Sequence, residues 1–262
     1  MVGLFIRKNF YDGWDNMGSL VIPNLMVLLL GTGSYWLVSK ISEFNIALSM
    51  VVLVLCIAVC SIPVFAYSES AAEIADFSVA RISDFFGSLR GVVKDAVLFG
   101  LLAGSLAVVA FVGLPYYFSI GNLFGFTLGM ILFWFEVLCL LALQWFLPVR
   151  ALMHNDFKKC LKKSFIIFFD NPGFSFFMFL YNTVLAVLSV ILFFILPSVS
   201  GITLALVNAL RLRLYKYDWL EAHPELTTRA EQKKVPWDEL LADDDEMVGH
   251  RTFKSFIFPW KE

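Results

Sequence analysis

Five stretches of this chain, residues 20–38, 45–67, 96–118, 123–147 and 173–196, are apolar over about 20 residues or more. A helix of that length covers the ~30 Å of hydrocarbon in a bilayer. A soluble fold of 262 residues has no interior large enough for all five. Composition agrees: 59% of residues are hydrophobic and only 16% charged, against roughly 25% charged in soluble domains. The remaining charge is segregated, because the positions from 211 onward hold 9 of the 20 Lys/Arg and 11 of the 22 Asp/Glu. This pattern excludes a disordered chain, a disulfide-stapled secreted domain and a conventional soluble enzyme. It predicts an all-α, polytopic membrane helical bundle.

Pro197 to Gly201 breaks the fifth run, and apolar residues resume from Ile202 to Leu214, a short sixth segment. The positive-inside rule favours counting it as a crossing. With six spans and both termini inside, every Lys and Arg except Lys40 falls on the cytoplasmic side. The expected domains are an N-terminal interfacial helix (1–19), a transmembrane bundle (20–214) and a cytoplasmic polar tail (215–262).

Residues 1–15 do not read as a secretory signal, since Arg7 and Lys8 are followed by Asp12 and Asp15 without a small-residue cleavage site. Ile6, Phe10 and Trp14 recur at i, i+4, i+8 and make one apolar stripe, the pattern of an amphipathic leader on the membrane surface. The inner connections near 68–95 and 149–172 each predict a cytoplasmic amphipathic helix. In them, Asp84-Phe85 with Leu89-Arg90 matches Asp156-Phe157 with Leu161-Lys162 at an offset of 72, the mark of a possible parallel duplication or of simple helix capping.

An ionisable residue inside a span costs several kcal/mol in lipid and is the natural place to look for function. Glu136 is that residue, flanked by Trp134, Phe135 and Val137 in the middle of the fourth run. Gln144 lies eight residues on, near the same face, and Asn24, Asn182 and Asn208 on other helices are candidate hydrogen-bond partners. The functional reading is a proton or substrate site; the structural one is a hydrogen-bonded carboxyl that packs the bundle. Gly121, Gly125 and Gly129 form a small-residue face for helix contact, and Gly31 and Gly33 are also expected to serve packing.

Cys56 and Cys60 are one helical turn apart, unsuited to a disulfide, and no His or further Cys completes a metal site around them. His154, His223 and His250 are too scattered for a metal cluster or a triad. No cofactor is expected. A net charge of −2 without a basic face argues against nucleic acid. The tail closes with aromatics between cations, and Phe253, Phe256, Phe258 and Trp260 are the expected contacts with the membrane surface or with a partner.

Phe10-Tyr11-Asp12-Gly13-Trp14 leads to Pro23-Asn24, Ile62-Pro63 and Phe85-Phe86 follow, and Leu147-Pro148-Val149-Arg150-Ala151-Leu152 leads to Leu161-Lys162-Lys163-Ser164-Phe165. In these features the chain resembles the YesL-like membrane proteins, the domain-of-unknown-function 624 family. The resemblance spans roughly residues 5 to 212. Ser68-Glu69-Ser70-Ala71-Ala72 departs from the Gly-rich stretch expected there, as does the long acidic tail. It implies a bacterial inner-membrane protein of unresolved activity, suspected of assisting sugar uptake, and carries over no binding residue. The expectation is a non-enzymatic accessory or assembly component that binds a membrane-protein partner through its cytoplasmic helices or tail. The rival is a small secondary transporter using Glu136.

Overall fold

The structure, a computed structural model, describes residues 1–225, 228, 231–232 and 234–249. Among them there is no β-strand. The helices are α1 (Val2–Asp15), α2 (Met17–Ser42), α3 (Ile46–Ala75), α4 (Ile82–Val108), α5 (Leu114–Ser119), α6 (Leu123–Leu143), α7 (Phe146–Met153), α8 (Phe157–Asp170), α9 (Pro172–Ile191), α10 (Ser198–Ala222), α11 (Trp237–Leu240) and α12 (Ala242–Val248). Five helical stretches are long and apolar enough to span a membrane: Met17–Ser42, Ile46–Ala75, Ile82–Ser119, Leu123–Met153 and Pro172–Ile191. The chain is a multi-pass helical membrane protein.

Local chemistry sets the helix limits. Asn45 and Asn122 each begin a spanning helix, and their side-chain oxygens accept from the backbone N–H of Leu48 at 3.0 Å and of Gly125 at 2.8 Å. Each satisfies one of the donors that a helix start leaves open. Pro115 would clash with the carbonyl four residues back in a regular α-helix. The chain instead passes through a π-turn at Val109–Gly113, which joins α4 to α5 within one span.

α3 and α4 form the longest hairpin, and glycine lets their backbones meet. A Cβ on Gly100 would lie 2.4 Å from the Ala58 Cα, and one on Gly104 would lie 3.0 Å from the Val54 Cα. Gly125 and Gly129 similarly seat α6 against α5, as the small-residue spacing implies, whereas Gly31 and Gly33 face open space and are not packing contacts.

Burial is uneven along the bundle. Between 11% and 22% of an 18-residue apolar window in each spanning stretch is buried, as expected for helices facing lipid. The packed core lies at the other end, built from Phe5 of α1, Phe65 to Ala75 of α3, Trp145 to Val149 around α7, Met178 of α9 and Leu204 to Leu212 of α10. The expected sixth segment is therefore the middle of α10, buried on nearly every face, and α10 is not among the five span-class helices. An apolar run of only 10–14 residues is more often a buried or re-entrant helix than a crossing one.

The two connections expected to hold amphipathic helices differ. Residues 149–172 hold the end of α7 and a separate amphipathic α8, as expected. Residues 68–95 contain no separate helix; α3 runs on to Ala75, turns at 76–81, and α4 runs from Ile82 directly into its span. The 68–95 expectation is corrected in this respect: the periodicity there belongs to extensions of two long helices.

Candidate functional site

The structure disperses the four intramembrane candidates. Glu136 of α6 and Gln144, the residue that caps the end of α6, line the same cavity of about 430 Å³ between α4, α6 and α10. Its walls are otherwise almost wholly apolar, including Phe99, Leu106, Leu140 and Ile202, with Thr203 as one further polar group. Glu136 Oε1 is buried without a hydrogen-bond partner. Gln144 is committed elsewhere, donating to the carbonyls of Leu141 and Ser175 at 2.9 Å each, which ties the end of α6 to the start of α9. Trp145 supports this joint by donating from its indole nitrogen to Ser175 Oγ at 2.8 Å.

Asn24 has a different task. It is 1% exposed, and its Nδ2 donates to the carbonyls of Ile195 and Pro197 at 2.9 and 3.0 Å. Its Oδ1 accepts from the Ser200 N–H at 2.9 Å. One amide thus closes the turn from α9 to α10, whose backbone groups would otherwise be unsatisfied among apolar side chains. Ser189 completes the closure by accepting from the Ser198 N–H at 2.8 Å. The expected pairing of Asn24 and Asn208 with Glu136 does not occur. Asn182, on α9, does not line the Glu136 cavity, and its Oδ1 is buried without a partner.

The richest polar chemistry lies in the packed core around α1 and α10. Lys8, 0% exposed, donates to Asp12 at 2.9 Å and lies over the Phe77 ring at 3.6 Å. Asn208 of α10 donates to Asp12 at 3.0 Å and to Asn9 at 3.3 Å, and Asn9 donates to Tyr181 at 2.9 Å. Burial lowers Lys8 below the ordinary lysine value against the pull of Asp12, and raises Asp12 above the ordinary carboxylate value against the pull of Lys8. The expected stripe of Ile6, Phe10 and Trp14 is exposed on the opposite face of α1.

Two arginines bind neighbouring elements together. Arg150 of α7 pairs with Glu69 of α3 and, at 3.0 Å, with Asp95 of α4. Arg211 of α10 donates to Asp244 of α12 at 2.6 Å and to Asp76 at 3.2 Å. Arg7 of α1 pairs with Asp245. The acidic run of the tail therefore clamps α12 onto α1 and α10. Between these groups lies a polar cavity of about 450 Å³ lined by Glu69, Glu73, Asp76, His154 and Arg211.

Sequence reasoning missed this ionic layer. Lys8 and Asp12 carried a signal, their i, i+4 spacing. Arg211 with Asp244, 33 positions apart, carried none. Phe253, Phe256, Phe258 and Trp260 lie outside the described residues. No protein-family model, curated protein or solved structure matches this chain.

Proposed function

We propose that this is a non-enzymatic accessory or assembly component of a membrane system, with the cytoplasmic layer as its working surface. The observation that carries this reading is the clamp of Asp244 and Asp245 on Arg211 and Arg7, which joins the polar tail to the helical core as one composite face. The charged groups in that layer pair with one another across α1, α3, α4, α7, α10 and α12, an arrangement that fixes a surface. The resemblance to YesL-like proteins is in keeping with this role, and with a bacterial inner membrane as its setting. The test is co-purification from native membranes with Arg211→Gln and with a chain ending at residue 248. Loss of a membrane-protein partner from both, with wild-type retention, is expected. Wild-type protein that retains no partner overturns the reading.

In this reading both termini lie on the cytoplasmic side, by a route other than six crossings. Asn24 lies about 7 Å to the cytoplasmic side of the midpoint of the apolar run 20–38, at ~1.5 Å per residue, and it holds the α9–α10 turn. The turn itself, Leu192-Phe193-Phe194-Ile195-Leu196-Pro197, contains no polar side chain, and Leu192 to Ile195 are exposed. In this reading α2, α3, α4–α5 and α6 cross, while α9 and α10 enter from the cytoplasm and return within the inner leaflet. An excursion and return has the same parity as two crossings, so the distribution of cations is preserved. An impermeant thiol reagent applied outside should label Phe44→Cys but not Phe194→Cys; labelling of both would restore the six-span arrangement.

A second reading, transport, is favoured by one observation: the unpartnered Glu136 oxygen beside an apolar cavity. Glu136→Gln in proteoliposomes should then abolish solute or ion flux that the wild type supports. Absence of flux with wild-type protein removes it.

A further inference from the structure

A cleft of about 830 Å³ opens where α8, the start of α9, α10 and the segment leading to α11 meet. Its charged lining is unbalanced: Lys162, Arg213 and Lys216 face a single carboxylate, Asp170. Lys216 already donates to Asp170 at 2.9 Å. Arg213 stands apart from the other arginines of the core. Arg150 and Arg211 each hold two carboxylates, whereas Arg213 has no salt bridge among the described residues, and its Nε is buried without a hydrogen-bond partner. Its guanidinium is held near the rings of Phe174 and Trp237, at 5.4 and 5.5 Å. Rings position such a group but supply no counter-charge, and a part-buried cation without one is costly.

The missing partner is an anion, and the surroundings indicate which kind. A guanidinium fork beside two ammonium groups suits a phosphate. On the same rim, Ile166 and Phe169 of α8 are 52% and 64% exposed, an apolar surface directly beside the charges. α8 also carries Lys158, Lys159 and Lys163, the composition of a helix that lies along a membrane surface. Pro172, which opens the span-class helix α9, forms part of the wall. We infer that this cleft binds a phosphate-type anion presented at the bilayer surface, the headgroup of an anionic phospholipid of the inner leaflet. The phosphate would sit on Arg213 with Lys162 and Lys216, and the acyl chains would run along Ile166 and Phe169. Basic pockets at the cytoplasmic edge of membrane helices bind acidic lipids in this way.

The test is lipid retention by the full-length protein in detergent, read by native mass spectrometry after exposure to phosphatidylglycerol or to phosphatidylcholine, with inorganic phosphate alone as a third arm. Wild-type protein should retain phosphatidylglycerol preferentially. Lys162→Gln should reduce that retention about fivefold, since each surface cation contributes about 1 kcal/mol toward an anionic lipid, and Arg213→Gln more than tenfold, since a guanidinium paired with a phosphate through two hydrogen bonds binds more strongly than a single point charge. Lys159→Gln, an equal charge loss on the same helix but outside the cleft, should change little. Lys162 lies on the exposed rim, so its variant stays informative if the Arg213 variant misfolds. Equal retention of the two lipids, or equal losses at Lys159 and Lys162, would overturn the inference. So would inorganic phosphate binding without lipid preference, which would assign the cleft to a soluble anion.

Discussion

The α3–α4 and α9–α10 hairpins each join two long helices, yet their turns differ in chemistry. The α3–α4 turn runs through Asp76, Ser78 and Arg81, all exposed, and its acid pairs with Arg211. The α9–α10 turn runs through six apolar residues, and its backbone is satisfied by Asn24 and Ser189 from within the bundle. A turn in water can leave its backbone to the solvent; a turn in hydrocarbon must be satisfied by protein. In the arrangement proposed above, the composition of each turn matches where in the membrane its hairpin ends.

The most direct way to break this contrast is at Asn24. Asn24→Leu leaves the Ile195 carbonyl and the Ser200 N–H unsatisfied at the α9–α10 turn, while the Pro197 carbonyl keeps the Gly201 N–H, and we expect a loss of about 2–3 kcal/mol, measured by thermal or denaturant unfolding in detergent. Asn45→Ala, which removes the exposed cap of α3, should cost only about 1 kcal/mol. Equal effects would mean that the α9–α10 turn is hydrated.

Charge insertion gives a second contrast of nearly the same size. Phe193→Lys should cost about 2.5–3.5 kcal/mol if the tip lies in hydrocarbon, and Ser78→Lys should stay within about 0.5 kcal/mol. Membrane integration of the two variants, compared by carbonate extraction and yield of folded protein, checks the pair; a harmless Phe193→Lys would place the tip in water.

Packing sharpens the comparison from the other side. Gly100→Val should destabilise α3–α4 by about 1–3 kcal/mol, because its Cβ would fall 2.4 Å from the Ala58 Cα. Gly173→Ala at the start of α9, where nothing lies within 4 Å, should be close to neutral. Melting temperatures of the two variants test this.

The smallest effect expected is a pH dependence at the base of α9–α10. Burial pushes Asp170 up, but hydrogen bonds from Lys216 and Tyr217 outweigh it and hold the carboxyl below its ordinary value of 3.8. Its contribution is therefore fully present above pH 3.8 and is lost as the pH falls through the lower folded value. The protection factors against hydrogen exchange at the α8–α9 junction should fall on acidification in the wild type, and Asp170→Asn should show that lower protection already at neutral pH. A wild-type profile that matches the variant at every pH would show the pairing to be idle.

Much of the architecture was legible from hydropathy alone. Runs of about 20 apolar residues have few homes other than a bilayer, and the structure has a span-class helix at each of the five. The exposed stripe of α1 and the amphipathic α8 were likewise readable, because a period of 3.6 residues is a local property. The candidate site was less legible. Glu136 and Gln144 share a cavity because they lie on α6 and at the residue that caps its end, so their spacing sufficed. Asn24 was noticed as a buried polar group, but its partner is a turn more than 170 positions away.

What the residue order determined by itself is the set of helices and the segregation of charge, since both depend on neighbours in the chain and on a slab of fixed thickness. Tertiary structure alone decided that α10 is the buried axis, that Asn24 closes its turn, and that Arg211 and Asp244 pair. The physical reason is that desolvation and hydrogen-bond satisfaction are set by three-dimensional surroundings. The same apolar run is a lipid-facing span or a core helix according to what packs around it.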